Sequence, residues 1–270
     1  SSDLLELDYP LDGSPPEYTG ELQAKAADLA LALGAGELTW KGVSGSLTFT
    51  PRGLESPGLA GELLEGPAEL TLTPSGERGA IRTHLTARGR AAVEPLEALW
   101  PDWPLERVAG TADWQLNATH DTDGWRVHAR SGLREAGLDL PHPLGKARGI
   151  ERPTEVRWAQ VGNEWQLLHG DRLAARARPG AGRWAVRFGP AGEAPALPAA
   201  GLRVTGELEA LDIGAWRARL PGGGIGGGAG GLPRLDLAME RLYLAGGEGL
   251  PRGQPPEPGP GAAGWPEVEA

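Results

Sequence analysis

Between Gly110 and Ala210 the chain alternates between apolar and polar side chains, and that alternation restricts it to extended strands. Ala112, Trp114, Leu116 and Ala118 fall on one side; Asp113, Gln115, Asn117 and Thr119 fall on the other. Trp125, Val127 and Ala129 oppose Arg126, His128 and Arg130. The same period returns at Val156 and Trp158, at Trp165 and Leu167, and at Leu173, Ala175 and Ala177. It returns again at Trp184, Val186 and Phe188, and from Leu202 to Ala210. Successive side chains of a strand point to opposite faces, so a period of two gathers the apolar ones on a single face. A helix would scatter the same residues around its axis.

Turn chemistry separates these runs. Asp121-Thr122-Asp123-Gly124 reads as a tight hairpin, with Asp-Gly supplying the positive-φ position. Gly162-Asn163, Pro179-Gly180-Ala181-Gly182 and Pro74 to Gly79 read as further turns. Upstream, Leu4 to Tyr9 and Tyr18 to Ala26 read as short strands. Leu22 to Leu33 is rich in Ala and Leu, which favours a helix, but the alternation at Leu29, Leu31 and Leu33 makes it a strand. Trp40, Leu47 and Phe49, then Ala68, Leu70 and Leu72, then Ile81, Thr83, Leu85 and Ala87 mark further strands. Two short helices are expected. One is Glu94 to Trp100, with Pro95 at its start. The other is a turn capped by Asp212 that runs through Trp216 to Leu220.

The chain has 270 residues. Residues 1–220 are expected to form the β unit, 221–231 a glycine-rich linker and 232–245 one more strand. Residues 246–270, rich in Pro and Gly, are expected to be a disordered tail. About a dozen evenly spaced strands argue for an antiparallel meander. A sheet apolar on one face must cover that face. The residues alone favour a β-sandwich or closed barrel; the less usual solution is a curled sheet whose apolar face lines a groove.

Composition removes several functions. There are no cysteines, so disulfide frameworks, thiolate zinc sites and cysteine nucleophiles are out. The formal net charge of −10 argues against nucleic-acid binding. The charge is uneven, and residues 121–190 carry an excess of Lys and Arg. The five histidines, at 84, 120, 128, 142 and 169, show no metal-binding spacing. Gly42-Val43-Ser44-Gly45-Ser46 lacks the last glycine of a nucleophile elbow and lies between strands. Gly222, Gly224 and Gly227 match a dinucleotide fingerprint only because the run is nearly all glycine. No enzyme activity, cofactor or metal is expected. No apolar run approaches the ~20 residues that span a bilayer. The chain starts without Met and ends in a polar tail, so it reads as an internal fragment of a longer protein.

One stretch departs from the alternation. In Ser131 to Trp158, the segment Leu140-Pro141-His142-Pro143-Leu144-Gly145-Lys146 carries two prolines that forbid a helix. It reads as an exposed turn, with His142 and Lys146 as surface or positioning residues. The run from Ser131 to Lys146, ending in Leu-Pro-x-Pro-Leu-Gly-Lys, resembles a signature of the bacterial envelope proteins of the YhdP family, relatives of AsmA and TamB. Gly45 to Ser56 is similar to that family's G-x-L-x-F-x-x-x-G-L-x-S strand and turn. Gly61 to Ala68 and Leu208 to Trp216 continue the likeness.

The resemblance implies a mainly β fold: a long antiparallel, strongly curled sheet forming an open hydrophobic groove, with one or two short helices. It implies a periplasmic segment of an inner-membrane-anchored protein that carries phospholipid between the inner and outer membranes. The groove lining would be Trp114, Leu116, Trp125, Val127, Trp158, Leu167, Trp184, Val186 and Phe188. Leu140, Pro141, Pro143, Leu144, Gly145 and Lys146 would be the motif turn. The implied partners are phospholipid acyl chains, the outer membrane, and the inner membrane through an anchor outside these residues. Two other readings stay open: a β-sandwich binding or scaffolding module, and a carbohydrate-active β-enzyme.

Overall fold

The computed structural model describes residues 4–8, 17–33, 36–76, 80–94, 107–190, 192–219 and 234–243. Fifteen strands account for most of them. The first six are β1 (Leu4–Asp8), β2 (Glu17–Leu33), β3 (Gly36–Thr50), β4 (Gly53–Leu63), β5 (Gly66–Ser75) and β6 (Arg82–Ala92). β7 (Val108–Asp121), β8 (Gly124–Ser131), β9 (Ala136–Leu138), β10 (Thr154–Ala159) and β11 (Glu164–His169) follow. The last are β12 (Leu173–Arg178), β13 (Arg183–Phe188), β14 (Gly201–Asp212) and β15 (Arg234–Tyr243). The helix α1 (Ile213–Arg219) leaves β14. Its first turn is capped by Asp212, whose Oδ1 accepts the Ala215 amide at 2.8 Å. The expected helix from Glu94 to Trp100 lies almost wholly outside the described residues, as do the glycine-rich run 221–231 and the tail 246–270.

The strands form one sheet in chain order from β1 to β15, with β9 set aside against the start of β7. The sheet does not close: β1 and β15 lie at opposite ends of the order. The sandwich and the barrel are thereby excluded for the described residues, since no second sheet packs on the first. β1 to β13 pair antiparallel, as the alternation and hairpin turns require. The expected all-antiparallel meander fails at its end. β14 runs parallel to β13, and β15 parallel to β14.

Curl enters at the N-terminal end. Four register shifts interrupt the ladders: two between β2 and β3, and two between β3 and β4. Another falls between β4 and β5 at Ser56 and Leu59. Each irregularity bends and further twists its strand. The bend folds the apolar face onto itself, where Trp40, Val43, Leu59 and Ala68 make a small dry core with Leu29, Leu47, Leu70 and Trp114 against it. Two tryptophans lie flat over glycines of neighbouring strands. A Cβ on Gly61 would sit 2.8 Å from Trp40 Nε1, and one on Gly89 2.7 Å from Trp114 Cζ2. Any larger residue would displace the ring.

Beyond that core the sheet has no thick interior. Of the thirteen fully buried hydrophobics among the described residues, eight are alanines. A two-layer domain buries large side chains between its layers; here most large ones stay half-exposed.

Candidate functional site: the apolar face

Residues directly opposite each other in a ladder share a face, so the register traces which side chains lie together. Ala24, Gly45, Leu59, Leu70, Ala87 and Leu116 stand opposite one another in turn. The row continues through Ala129, Val156, Leu167, Ala175, Val186, Val204 and Leu235. It crosses thirteen strands. At about 4.8 Å per strand, it is roughly 60 Å long. A second row joins Leu72, Leu85, Ala118, Val127, Trp158, Trp165, Ala177, Trp184 and Leu202. A third joins Ala68, Gly89, Trp114, Ser131, Thr154, His169, Leu173, Phe188 and Gly206. From β5 to β14 none of the three rows holds an Asp, Glu, Lys or Arg.

All nine residues named as a possible lining fall on this face. Leu116, Leu167 and Val186 are in the first row, Val127, Trp158 and Trp184 in the second, Trp114 and Phe188 in the third. Trp125 lies one step beyond the second row, opposite His120, with ring centroids 4.8 Å apart. Trp165 belongs with them and was left out of that set, although it stands two residues before Leu167 in the same alternation. Its ring leans on Trp158 at 5.9 Å. Both indole N–H groups donate to Asn163 Oδ1, at 3.0 and 3.1 Å, so one turn residue fixes the pair.

Among the described residues, the connection from β13 to β14 runs on the other side of the sheet. Residues 192–200 run across the polar face to the start of β14. Arg187 and Arg183, which project there, donate to the carbonyls of Glu193 and Pro198 at 3.0 and 2.7 Å. That crossover buries Ala185 and leaves Trp184, on the other side, 40% exposed.

One rim of the face is closed, and the proline motif closes it. β7 and β14 overhang the shorter strands between them, which leaves a notch along the edge of β8 and β10 to β13. Residues 132–153 fill it. β9 pairs with the overhang of β7 at Val108–Gly110. At the far end His142 Nδ1 donates to Ala210 O, and Trp216 Nε1 to His142 O, both at 3.2 Å. The turn is therefore not the exposed one expected: Pro141, Pro143 and Lys146 are buried, and His142 alone of the motif projects outward. Burial follows because the long strands offer a surface that a two-sided turn can fill.

Lys146 is 6% exposed and makes no ion pair with a carboxylate among the described residues. Its ammonium donates to the carbonyls of Ala136, Ala147 and Ile150, at 2.5, 3.2 and 2.8 Å, and staples the two legs of the excursion. Burial, and then the nearby Arg152 guanidinium, lower its pKa. Arg152 joins the excursion to the third row. Its Nη1 donates to Leu144 O at 2.9 Å and to His169 Nε2 at 3.3 Å. Because an arginine only donates, His169 must be neutral with its proton on Nδ1, which faces Thr154 Oγ1 at 2.8 Å. Burial, with Arg152 and Lys146 beside it, lowers the His169 pKa to about 4. This cluster was not legible as a site: no spacing in the sequence joins Arg152, Thr154 and His169.

The polar face carries cavities of its own, one of ≈ 680 Å³ over β5 to β8 and β10. Its charges are mostly committed to each other, as in Arg88–Glu69 and Arg130–Glu155, at 2.6 and 3.7 Å. Such a surface suits water, not an apolar ligand. The apolar face is the candidate site, and what it offers is extended, uncharged contact.

A family model described as YhdP protein matches residues 2–248. No curated protein and no solved structure matches the chain.

Proposed function

The chain belongs to the YhdP family, a family of bacterial envelope proteins, and we propose that it is a segment of a groove that carries phospholipid acyl chains between the inner and outer membranes. The observation that supports this reading is the apolar row continuous over thirteen strands, part of an uncharged face left open along β7 to β14 among the described residues. Acyl chains are apolar and conformationally loose, so a path for them needs area and no specific polar partner. Each CH₂ taken from water contributes about 0.8 kcal/mol, and half-exposed Leu, Val and Trp offer such burial along β7 to β13. The segment would lie in the periplasm, held to the inner membrane by an anchor outside these residues. Among the described residues no helix is long and apolar enough to cross a membrane. The chain works by binding and passing lipid, without a catalytic group.

Purification from a bacterial host followed by lipid extraction and mass spectrometry tests the reading. Phospholipid should accompany the folded chain and be displaced by added phospholipid with diazirine-bearing acyl chains, which label β10 to β13 on illumination. A chain that comes through mild purification free of lipid, and takes up none, would speak for a scaffolding module instead.

A further inference from the structure

The two rims of the apolar face differ in chemistry. One is sealed by residues 132–153, through the Lys146 staple and the Arg152–His169 contact. The other is built only from short turns: Thr122-Asp123, Val161–Asn163 and Pro179–Ala181. Along this second rim stand Trp125, Trp158, Trp165 and Trp184, the inner-face residues nearest those turns. Among the described residues no connection crosses over them, and Trp184 is 40% exposed. Val161, at the tip of the middle turn, is 66% exposed, the most exposed large hydrophobic among the described residues.

We infer that the tryptophan rim is where phospholipid headgroups leave the groove, with acyl chains lying on the first row beneath and the motif rim closed to them. The inference rests on the phospholipid reading above. A phospholipid has an apolar body and a polar end joined at one level, and an indole has the same division: an apolar ring with one N–H at its polar edge. Tryptophan therefore gathers where apolar surface meets water around lipid. Here Asn163 takes both N–H groups of Trp158 and Trp165, so their polar edges face the turn and their ring bodies face the groove. At the opposite rim the buried polar groups are already engaged: the Lys146 ammonium is surrounded by carbonyls, and His169 is bonded through both ring nitrogens. A headgroup there would have to break those contacts. At the tryptophan rim it passes directly into water.

The test uses the whole chain and two phosphatidylethanolamine probes, one with a diazirine on the headgroup amine and one with it midway along an acyl chain. After illumination, labelled peptides are mapped by mass spectrometry. The headgroup probe should label the peptides around Val161 and Trp184 and spare 139–150, while the acyl probe labels those around Val156 and Val186. In Trp184→Glu, headgroup labelling at this rim should fall, while the far-UV spectrum of the sheet is unchanged. Headgroup label on 139–150, on both rims equally, or on neither while the acyl probe still labels the floor, overturns the inference and leaves the lipid reading intact. If neither probe labels the chain, the lipid reading fails and takes the inference with it.

Discussion

At the scale of single residues, the groups that matter most for stability at the motif rim are buried cations and their neighbour His169. An unfolded histidine titrates near 6.5, and His169 in place is lowered to about 4. The unfolded chain therefore binds the proton more readily, and stability rises with pH across that interval. The contribution is complete above pH 6.5 and is lost as pH falls toward 4. At 1.36 kcal/mol per pH unit it amounts to about 3 kcal/mol. Melting temperatures measured between pH 7.5 and 4 should fall through this window in the native chain, and the fall should flatten in His169→Gln. An identical acid slope in the variant would assign the effect to other groups. Gly89 makes a second residue-scale test. A Cβ there would also meet Pro67 O at 2.5 Å, so Gly89→Val should cost about 1–3 kcal/mol, the usual range for overpacking, read as a lowered denaturation midpoint with an unchanged slope. A variant as stable as the native chain would mean that Trp114 has another place to go.

At the scale of elements, the proline excursion behaves as one piece tied at four points: to β7 through β9, to β14 through His142, to β11 through Arg152, and across its own legs by Lys146. Lys146→Met keeps the bulk of the side chain and removes the donor shared by three carbonyls. Leaving buried acceptors unpaired costs about 1–3 kcal/mol. Hydrogen exchange should then quicken at the amides of Leu138 and Gly149, which bond within the excursion at 2.8 Å each, while the amides of β11 to β13 keep their protection. Unchanged protection would show that the staple is dispensable. The strands and their inner face were legible in the sequence because a period of two has only one structural meaning. The excursion was not. A Pro-His-Pro turn reads as exposed on local grounds, and only the overhang of β7 and β14, set by pairings far apart in the chain, buries it. The parallel pairs were missed for a related reason. Alternation is the same in parallel and antiparallel strands, and the signal lay in the connection: residues 189–200 are too many for a hairpin and long enough to cross back.

At the scale of the whole molecule, an apolar face that is a dry core and one that is an open wall respond differently to charge. In a dry core a buried, unpaired carboxylate costs many times the stability of a domain unless it takes up a proton. On a wall it can turn toward the groove and stay hydrated. Val127 and Val186 are half-buried and lie in the second and first rows, with no layer above them among the described residues. Val127→Asp and Val186→Asp should therefore give folded sheets, with melting temperatures lowered by a few degrees, that no longer crosslink to acyl chains from β8 to β13. The N-terminal end supplies the contrast. Val43 is wholly buried in the small core beneath Trp40, so Val43→Asp should lose the folded state under the same conditions. If all three variants unfold alike, the inner face is a core throughout and the groove does not exist. If all three fold and still bind lipid, the rows do not form the path. Folding retained at Val127 and Val186, lost at Val43, with lipid contact abolished in the first two, is the outcome that a groove closed at one end and open along β7 to β14 requires.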